Sequence, residues 1–174
     1  MIGIIAAMTI DRVIGIYDNP KGPGRLPWNT INSILKADMC RFREITDGSN
    51  IIMGRKTWES IKCSPLSNRK NIIISSTMED GINLGYRVCN SVKEVMRWAF
   101  IGDIWFIGGH DVFHDAIDFV NVIDITIIPC LSRTLCKPSV QKVYFPIVNE
   151  KIFCRYDSIH PYNRTMRTIR YVKR

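Results

Sequence analysis

Asp38 is an acid in an apolar place. Ile31, Ile34, Leu35, Phe42 and Ile45 form one stripe when the segment is wound as a helix at about 100° per residue. Asp38 falls within about 20° of the centre of that stripe, whereas Lys36, Arg43 and Glu44 point elsewhere. A carboxylate turned toward a core is costly unless something pairs with it. Two readings follow. The acid is structural, bonded to nearby backbone or capping a helix that starts late, or it faces a pocket with its proton affinity raised by loss of water.

Three junctions between a strand-like run and a turn carry a second kind of chemistry. Ile51-Ile52-Met53-Gly54 leads into Arg55-Lys56-Thr57-Trp58, Ile72-Ile73-Ile74 into Ser75-Ser76-Thr77, and Ile104-Trp105-Phe106-Ile107 into Gly108-Gly109-His110. In a parallel sheet such junctions lie at the carboxyl edge, where open α/β sheets bind ligands. Glycine lets backbone approach a ligand, and free N–H groups at helix starts favour phosphate. Arg55 with Ser75 and Ser76 has the donors for one further phosphate, as on an NADP ribose. Each junction alone also reads as a glycine closing a strand; together they point to a dinucleotide site without the usual glycine-rich fingerprint.

The elements that must position these residues alternate along the chain. Strand-like runs cover Ile2 to Thr9, Ser49 to Met53, Asn71 to Ser75, Asp103 to Ile107, Val122 to Ile128, Ile152 to Asp157 and Arg164 to Val172. Helical patterns cover Ile31 to Ile45, Lys56 to Ile61, Val92 to Ile101 and Val112 to Phe119, with none after Phe119. Alternating strands and helices imply an α/β fold with a mostly parallel sheet, helices on both faces, and an antiparallel addition at the C-terminal edge. The basic residues of the tail recur every three positions, which fits a strand poorly. One long loop, Ile16 to Pro27, is rich in glycine and proline and reads as functional or disordered.

Composition narrows the class. The 174 residues fit one domain, 1–174. No apolar run reaches the ~18 residues of a membrane span. The apolar start ends at Asp11-Arg12 and has no basic leader, so it reads as a first strand rather than a signal peptide. Six scattered cysteines match neither a zinc site nor a disulfide scaffold, so no metal is expected and reduced thiols in the cytoplasm are. Cys130 and Cys136 are near enough in sequence to bridge a loop. The net charge of +8 is spread along the chain, with no basic-aromatic pattern of a nucleic-acid module.

Read together, the motifs resemble dihydrofolate reductase. Ile4-Ile5-Ala6-Ala7 with Asp11-Arg12-Val13-Ile14-Gly15 resembles that family's first strand and the start of its active-site loop, and Leu26-Pro27-Trp28 the end of the loop. Leu35 to Phe42 resembles the helix bearing the substrate acid. Ile52 to Ile61, then Pro65-Leu66 and Arg69 to Ile73, is the most specific stretch, and Ile107-Gly108-Gly109 and Thr126 complete it. The resemblance implies reduction of dihydrofolate by NADPH, with hydride transfer to C6 and protonation of N5. Asp38, Thr126 and Trp28 would serve catalysis. The substrate would meet Ile5, Ala6, Ala7, Phe42, Ile61, Leu66, Ile107 and Arg69, the last gripping a glutamate carboxylate. The cofactor would meet Ala7, Ile14, Gly15, Leu26, Gly54, Arg55, Lys56, Thr57, Ser75, Ser76, Ile107, Gly108, Gly109, Asp111, Val112 and Phe113. A cis peptide at Gly108-Gly109, an adenosine-binding part at roughly 49–101, antifolate binding, a monomeric state and no nucleic-acid partner are also implied.

Departures are visible as well. Ten positions separate Trp28 from Asp38, so an insertion around Thr30 to Ile34 precedes the helix. Phe113 stands where the family usually has tyrosine, Asp111 where a basic residue is frequent, and Lys142 where an acid is frequent. These bear on rate and gating. The competing readings are a same-fold reductase of another pterin or a pyrimidinone, and a binding protein that has lost activity.

Overall fold

Apolar, β-branched runs become strands where both of their faces can be covered. The computed structural model describes residues 1–19, 22, 24–98 and 101–174. These form β1 (Ile2–Thr9), β2 (Val13–Tyr17), β3 (Asn50–Gly54), β4 (Lys70–Ile74), β5 (Tyr86–Cys89), β6 (Ile104–Gly108), β7 (Val122–Ile128), β8 (Gln141–Tyr144), β9 (Phe153–Ile159) and β10 (Arg167–Lys173). Eight of them make one sheet in the order β5-β4-β3-β6-β1-β7-β10-β9, while β2 and β8 pair separately. Only β10 runs against its neighbours; the other pairings of the large sheet are parallel.

Helices α1 (Asn32–Thr46) and α2 (Arg55–Ser60) cover one face, and α3 (Val92–Arg97) and α4 (His110–Ala116) the other. Alternation along β3 and β4 explains why these strands read as apolar throughout. Ile51, Met53 and Ile73 pack with Trp58, Phe42 and Ile45, while Ile52 and Ile72 pack with Val92, Val95, Val112 and Ala116. The expected α/β sheet with an antiparallel C-terminal edge is therefore what the chain builds.

Several expectations need correction. The stretch from Ile16 to Pro27 is not structureless: Val13–Tyr17 is a strand, and Ile16 and Arg25 exchange backbone hydrogen bonds of 2.9 and 3.0 Å. Pro20 and Pro23 of that loop lie outside the described residues. The insertion before Asp38 is mostly helix, because α1 begins at Asn32 with no side-chain cap. The third helix stops at Arg97 with Trp98 already extended, short of Ile101; positions 99 and 100 lie outside the described residues. A single helical turn, α5 (Ser132–Leu135), follows β7 where no helix was expected. The basic tail is a strand despite its period of three, and Arg170, directly opposite Asp124 of β7, pairs with that acid. The six cysteines are free, Cys130 and Cys136 included.

Candidate active site

Asp38 occupies the second turn of α1, so it caps nothing, and its side chain is only 7% exposed. Burial pushes its carboxyl from the ordinary 3.8 up to about 6, against the pull of the Thr126 hydroxyl, the Arg41 guanidinium and the Trp28 indole N–H. Thr126 comes from β7, where it sits beside Ala7 of β1. Trp28 is fully buried in the turn before α1, and its Nε1 has no well-aligned hydrogen-bond partner among the described residues. An acid that changes charge near neutrality, with a hydroxyl and an indole N–H beside it, is equipped to bind a polar heterocycle edge or to move a proton.

An apolar wall adjoins it. Ile5, Phe42, Ile61, Leu66 and Ile107 belong to one cluster under α1 and α2. The Arg69 guanidinium lies 5.9 Å from the Phe42 ring centroid, and its buried Nε has no partner among the described residues. Burial lowers the proton affinity of Arg69, yet it stays a cation at any ordinary pH. Asn71 shapes the loop that carries it: Leu66 N–H donates to Asn71 Oδ1 at 2.9 Å, and Asn71 Nδ2 donates to the carbonyls of Leu66 and Arg69 at 3.1 and 3.0 Å. A flat aromatic group is matched by the wall, and a carboxylate by the arginine.

The three strand-to-turn junctions meet, as expected, at one edge of the sheet. Gly54, Arg55, Lys56, Thr57, Ser75, Ser76, Gly109, Asp111 and Val112 line one cavity of about 670 Å³. Ala6, Ala7, Ile14, Gly15, Leu26, Ile107, Gly108, Gly109 and Phe113 line an adjoining one of about 160 Å³. The peptide between Gly108 and Gly109 is cis. Gly108 holds a φ of +125°, which side chains rarely tolerate, and the Thr57 hydroxyl would sit 3.5 Å from a Cβ at either glycine. Arg55 is half-exposed and shares its charge with Glu59 one turn along α2. Phe113 is buried against Phe145 at 5.1 Å between ring centroids, an apolar contact that needs no phenol hydroxyl.

Several residues to which the sequence assigned no contact also belong here, among them Lys142, noted there only as a departure, and Thr77 and His110, noted only as turn residues. Tyr17, Thr77, His110 and Lys142 line the larger cavity. Lys56 Nζ stands 4.7 Å from the Tyr17 ring centroid, and His110 Nδ1–H donates to the Tyr144 carbonyl at 2.8 Å, tying α4 to β8. Beside Asp38, Arg41 is buried and ion-paired with the fully buried Asp124 of β7, which also accepts from Arg170. One signal for Asp124 was available: a lone charge within the apolar run Val122 to Ile128 demands a partner.

Comparison with known proteins agrees with this geometry. The dihydrofolate reductase family model matches residues 1–171. The chain is similar to the dihydrofolate reductase of Bacillus subtilis, 38% identical over 127 residues, which span 72% of this chain and 68% of that protein. It is also similar to a bifunctional dihydrofolate reductase-thymidylate synthase of Paramecium tetraurelia, 31% identical over 144 residues, 82% of this chain and 28% of that longer protein. Among solved structures, the dihydrofolate reductase from Enterococcus faecalis, complexed with NADP(H) and RAB-propyl, shares the fold at a TM-score of 0.76 and 24% identity, covering 99% of this chain and 96% of that one. By the match of the family model to nearly its whole length, the chain belongs to the dihydrofolate reductase family.

Proposed function

We propose that this chain uses NADPH to reduce 7,8-dihydrofolate to 5,6,7,8-tetrahydrofolate, by hydride transfer to C6 and protonation of N5. The observation that carries this reading is the buried acid Asp38, set between an apolar wall that ends in Arg69 and a polar cavity at the carboxyl edge of the sheet. That cavity fits the cofactor: its volume is in the range of a nucleotide site, its lining is cationic and hydroxylic, and its glycines allow close backbone approach. NADPH supplies the hydride when bound.

The residues then divide the remaining work. Ionised Asp38 accepts paired hydrogen bonds from the pterin 2-amino group and N3, and Thr126 supports it. Its charge raises the basicity of the ring, and the proton reaches N5 through a water ordered beside Trp28. Phe42, Ile61, Leu66, Ile5 and Ile107 exclude solvent from the ring and the aminobenzoyl group, with Ala6 and Ala7 along β1 beneath them. Arg69 holds the glutamate α-carboxylate by its paired N–H groups. Arg55, Lys56, Thr57, Ser75 and Ser76 hold the cofactor phosphates, with backbone at Gly54, Gly108 and Gly109. Ile14, Gly15 and Leu26 close over the nicotinamide, while Asp111, Val112 and Phe113 shape the cavity from α4.

Arg69 favours folate over a pyrimidinone or a bare pterin, since neither has a carboxylate to satisfy its buried Nε. No helix among the described residues is long and apolar enough to cross a membrane. We place the protein in the cytoplasm as a monomer without a nucleic-acid partner, and expect folate-like inhibitors to occupy the Asp38 site. The test is to mix protein, NADPH and dihydrofolate and follow absorbance at the reduced-nicotinamide band. Steady oxidation that needs dihydrofolate, with one tetrahydrofolate formed per NADPH, supports the assignment. Oxidation with a pyrimidinone but none with dihydrofolate removes it.

A further inference from the structure

β7 carries two buried polar side chains on one face, Asp124 and Thr126, two residues apart in an otherwise apolar strand. Arg41 lies one turn beyond Asp38 on α1 and reaches both of them. Its Nη2 donates to Asp124 Oδ1, and its Nη1 donates to the Thr126 hydroxyl at 3.4 Å. Arg170, opposite Asp124 in the β10 pairing, donates Nε and Nη2 to the other carboxylate oxygen at 2.9 and 2.6 Å. Asp124 is thus held from two sides, and Arg41 is held by Asp124.

The consequence falls on Thr126. A hydroxyl has one proton to donate. With its oxygen accepting from Arg41, that proton is free to turn to Asp38, whose carboxylate the same hydroxyl favours. Stability is a poor reason for the arrangement, because buried ion clusters are often matched or bettered by apolar residues of similar volume. We propose that Arg41, locked by Asp124 and Arg170, is a positioning residue for the pterin site: it aims the Thr126 hydroxyl at Asp38 and sets a fixed positive charge behind that acid.

The charged and titratable groups around this point come from every element packed there. Asp38 and Arg41 come from α1, Asp124 from β7, Arg170 from β10, and His160 from the turn between β9 and β10. Burial and then the Arg41 charge lower the proton affinity of His160, and its Nδ1 accepts from the Tyr162 N–H at 3.2 Å. Glu44, Cys40 and Tyr162 lie farther out, with the Tyr162 hydroxyl donating to Glu44 at 2.8 Å. The signs follow. Loss of the Arg41 charge lets Asp38 keep its proton to higher pH. Neutral Asp124 leaves Arg41 uncompensated, and Asp38 ionises more readily.

This inference rests on Asp38 being the pterin acid, so its test reads Asp38 without turnover. The carboxyl ¹³C resonance of Asp38, assigned by its absence in Asp38→Asn, is titrated in the full chain with NADPH present. Arg41→Met raises the proton affinity of Asp38 about tenfold, Arg41→Lys restores most of it, and Asp124→Asn shifts it the other way. The acid limb of the kcat/KM profile follows in the same directions, and KM for dihydrofolate rises while KM for NADPH holds. Should Arg41→Met not fold, Asp124→Asn and the half-exposed Arg170→Met carry the test, with displacements of opposite sign expected. An Asp38 titration unmoved by these variants, or moved in one common direction, overturns the proposal. Full activity in Asp38→Asn instead removes the functional reading and leaves the titration result standing.

Discussion

Replacing Asp38 by asparagine makes the protein more stable and nearly inactive, and pH separates the two effects. The carboxyl is ordinary in the unfolded chain, near 3.8, and rises to about 6 when burial strips its water. An acid whose proton is held more tightly in the folded state costs nothing below about pH 3, where both states are protonated. The cost appears as pH rises from about 4 through 6, because the unfolded chain ionises first, and it is complete by pH 8. Its size is on the order of 3 kcal/mol. Asparagine has nearly the same shape and no charge to desolvate, but it loses part of the hydrogen bonding to Thr126, so the net gain at pH 8 is about 1–2 kcal/mol. Urea unfolding of both proteins without ligands, at pH 4 and pH 8, measures it: the two should be close at pH 4 and the variant ahead at pH 8. Turnover at pH 7 should fall by roughly 10²–10⁴-fold. A variant as active as the parent, or a stability difference that is the same at both pH values, refutes the reasoning.

Other substitutions test other parts of the site. Arg55→Glu should weaken NADPH binding by about tenfold or more and leave NADH nearly unchanged, read as KM for each cofactor; the half-exposed, Glu59-shared guanidinium keeps the loss below that of a fully buried clamp. Arg69→Leu should weaken dihydrofolate binding by roughly 10²-fold while a tail-less pterin binds both proteins alike, measured by quenching of tryptophan fluorescence. Asp11 accepts from the Ser132 hydroxyl at 2.5 Å, the Ser132 N–H at 2.9 Å and the Thr9 hydroxyl at 2.7 Å. Burial pushes its carboxyl up, but these donors outweigh it and bring it to about 2. Asp11→Asn should therefore cost about 1 kcal/mol at pH 7, a difference that fades as pH falls through 2 in thermal melts.

The legible parts of this chain are those whose signals are local. A 3.6-residue period places Asp38 among apolar neighbours, and the full length of α1 confirms the wheel because the insertion before it is helical from Asn32. Apolar runs closing on glycine marked the ends of β3 and β6 correctly, and the cis peptide at Gly108-Gly109 was implied by resemblance alone. What stayed hidden depends on distant pairing. β2 and β8 are short, stand far apart in sequence and stabilise only each other's register, so neither reads as a strand by itself. Lys142 and Tyr17 enter the cavity through that pairing. Arg41 looked like one more polar helix residue, because its partners Asp124 and Thr126 are 83 and 85 positions away. The basic period of the tail misled because strand faces alternate every two residues: Arg167 and Arg170 fall on opposite faces of β10, and Arg170 meets Asp124 directly across the sheet.

In the proposed reaction a hydride passes from NADPH to the folate ring at the site that holds Asp38. NADPH carrying deuterium at the transferable C4 position, incubated with the protein and dihydrofolate in ordinary water, tests it most directly. One deuterium should appear at C6 of tetrahydrofolate and a solvent proton at N5, with the transfer slowed by roughly 10²–10⁴-fold in Asp38→Asn. Deuterium retained on the nicotinamide or lost to water, or unchanged transfer in the asparagine variant, contradicts it.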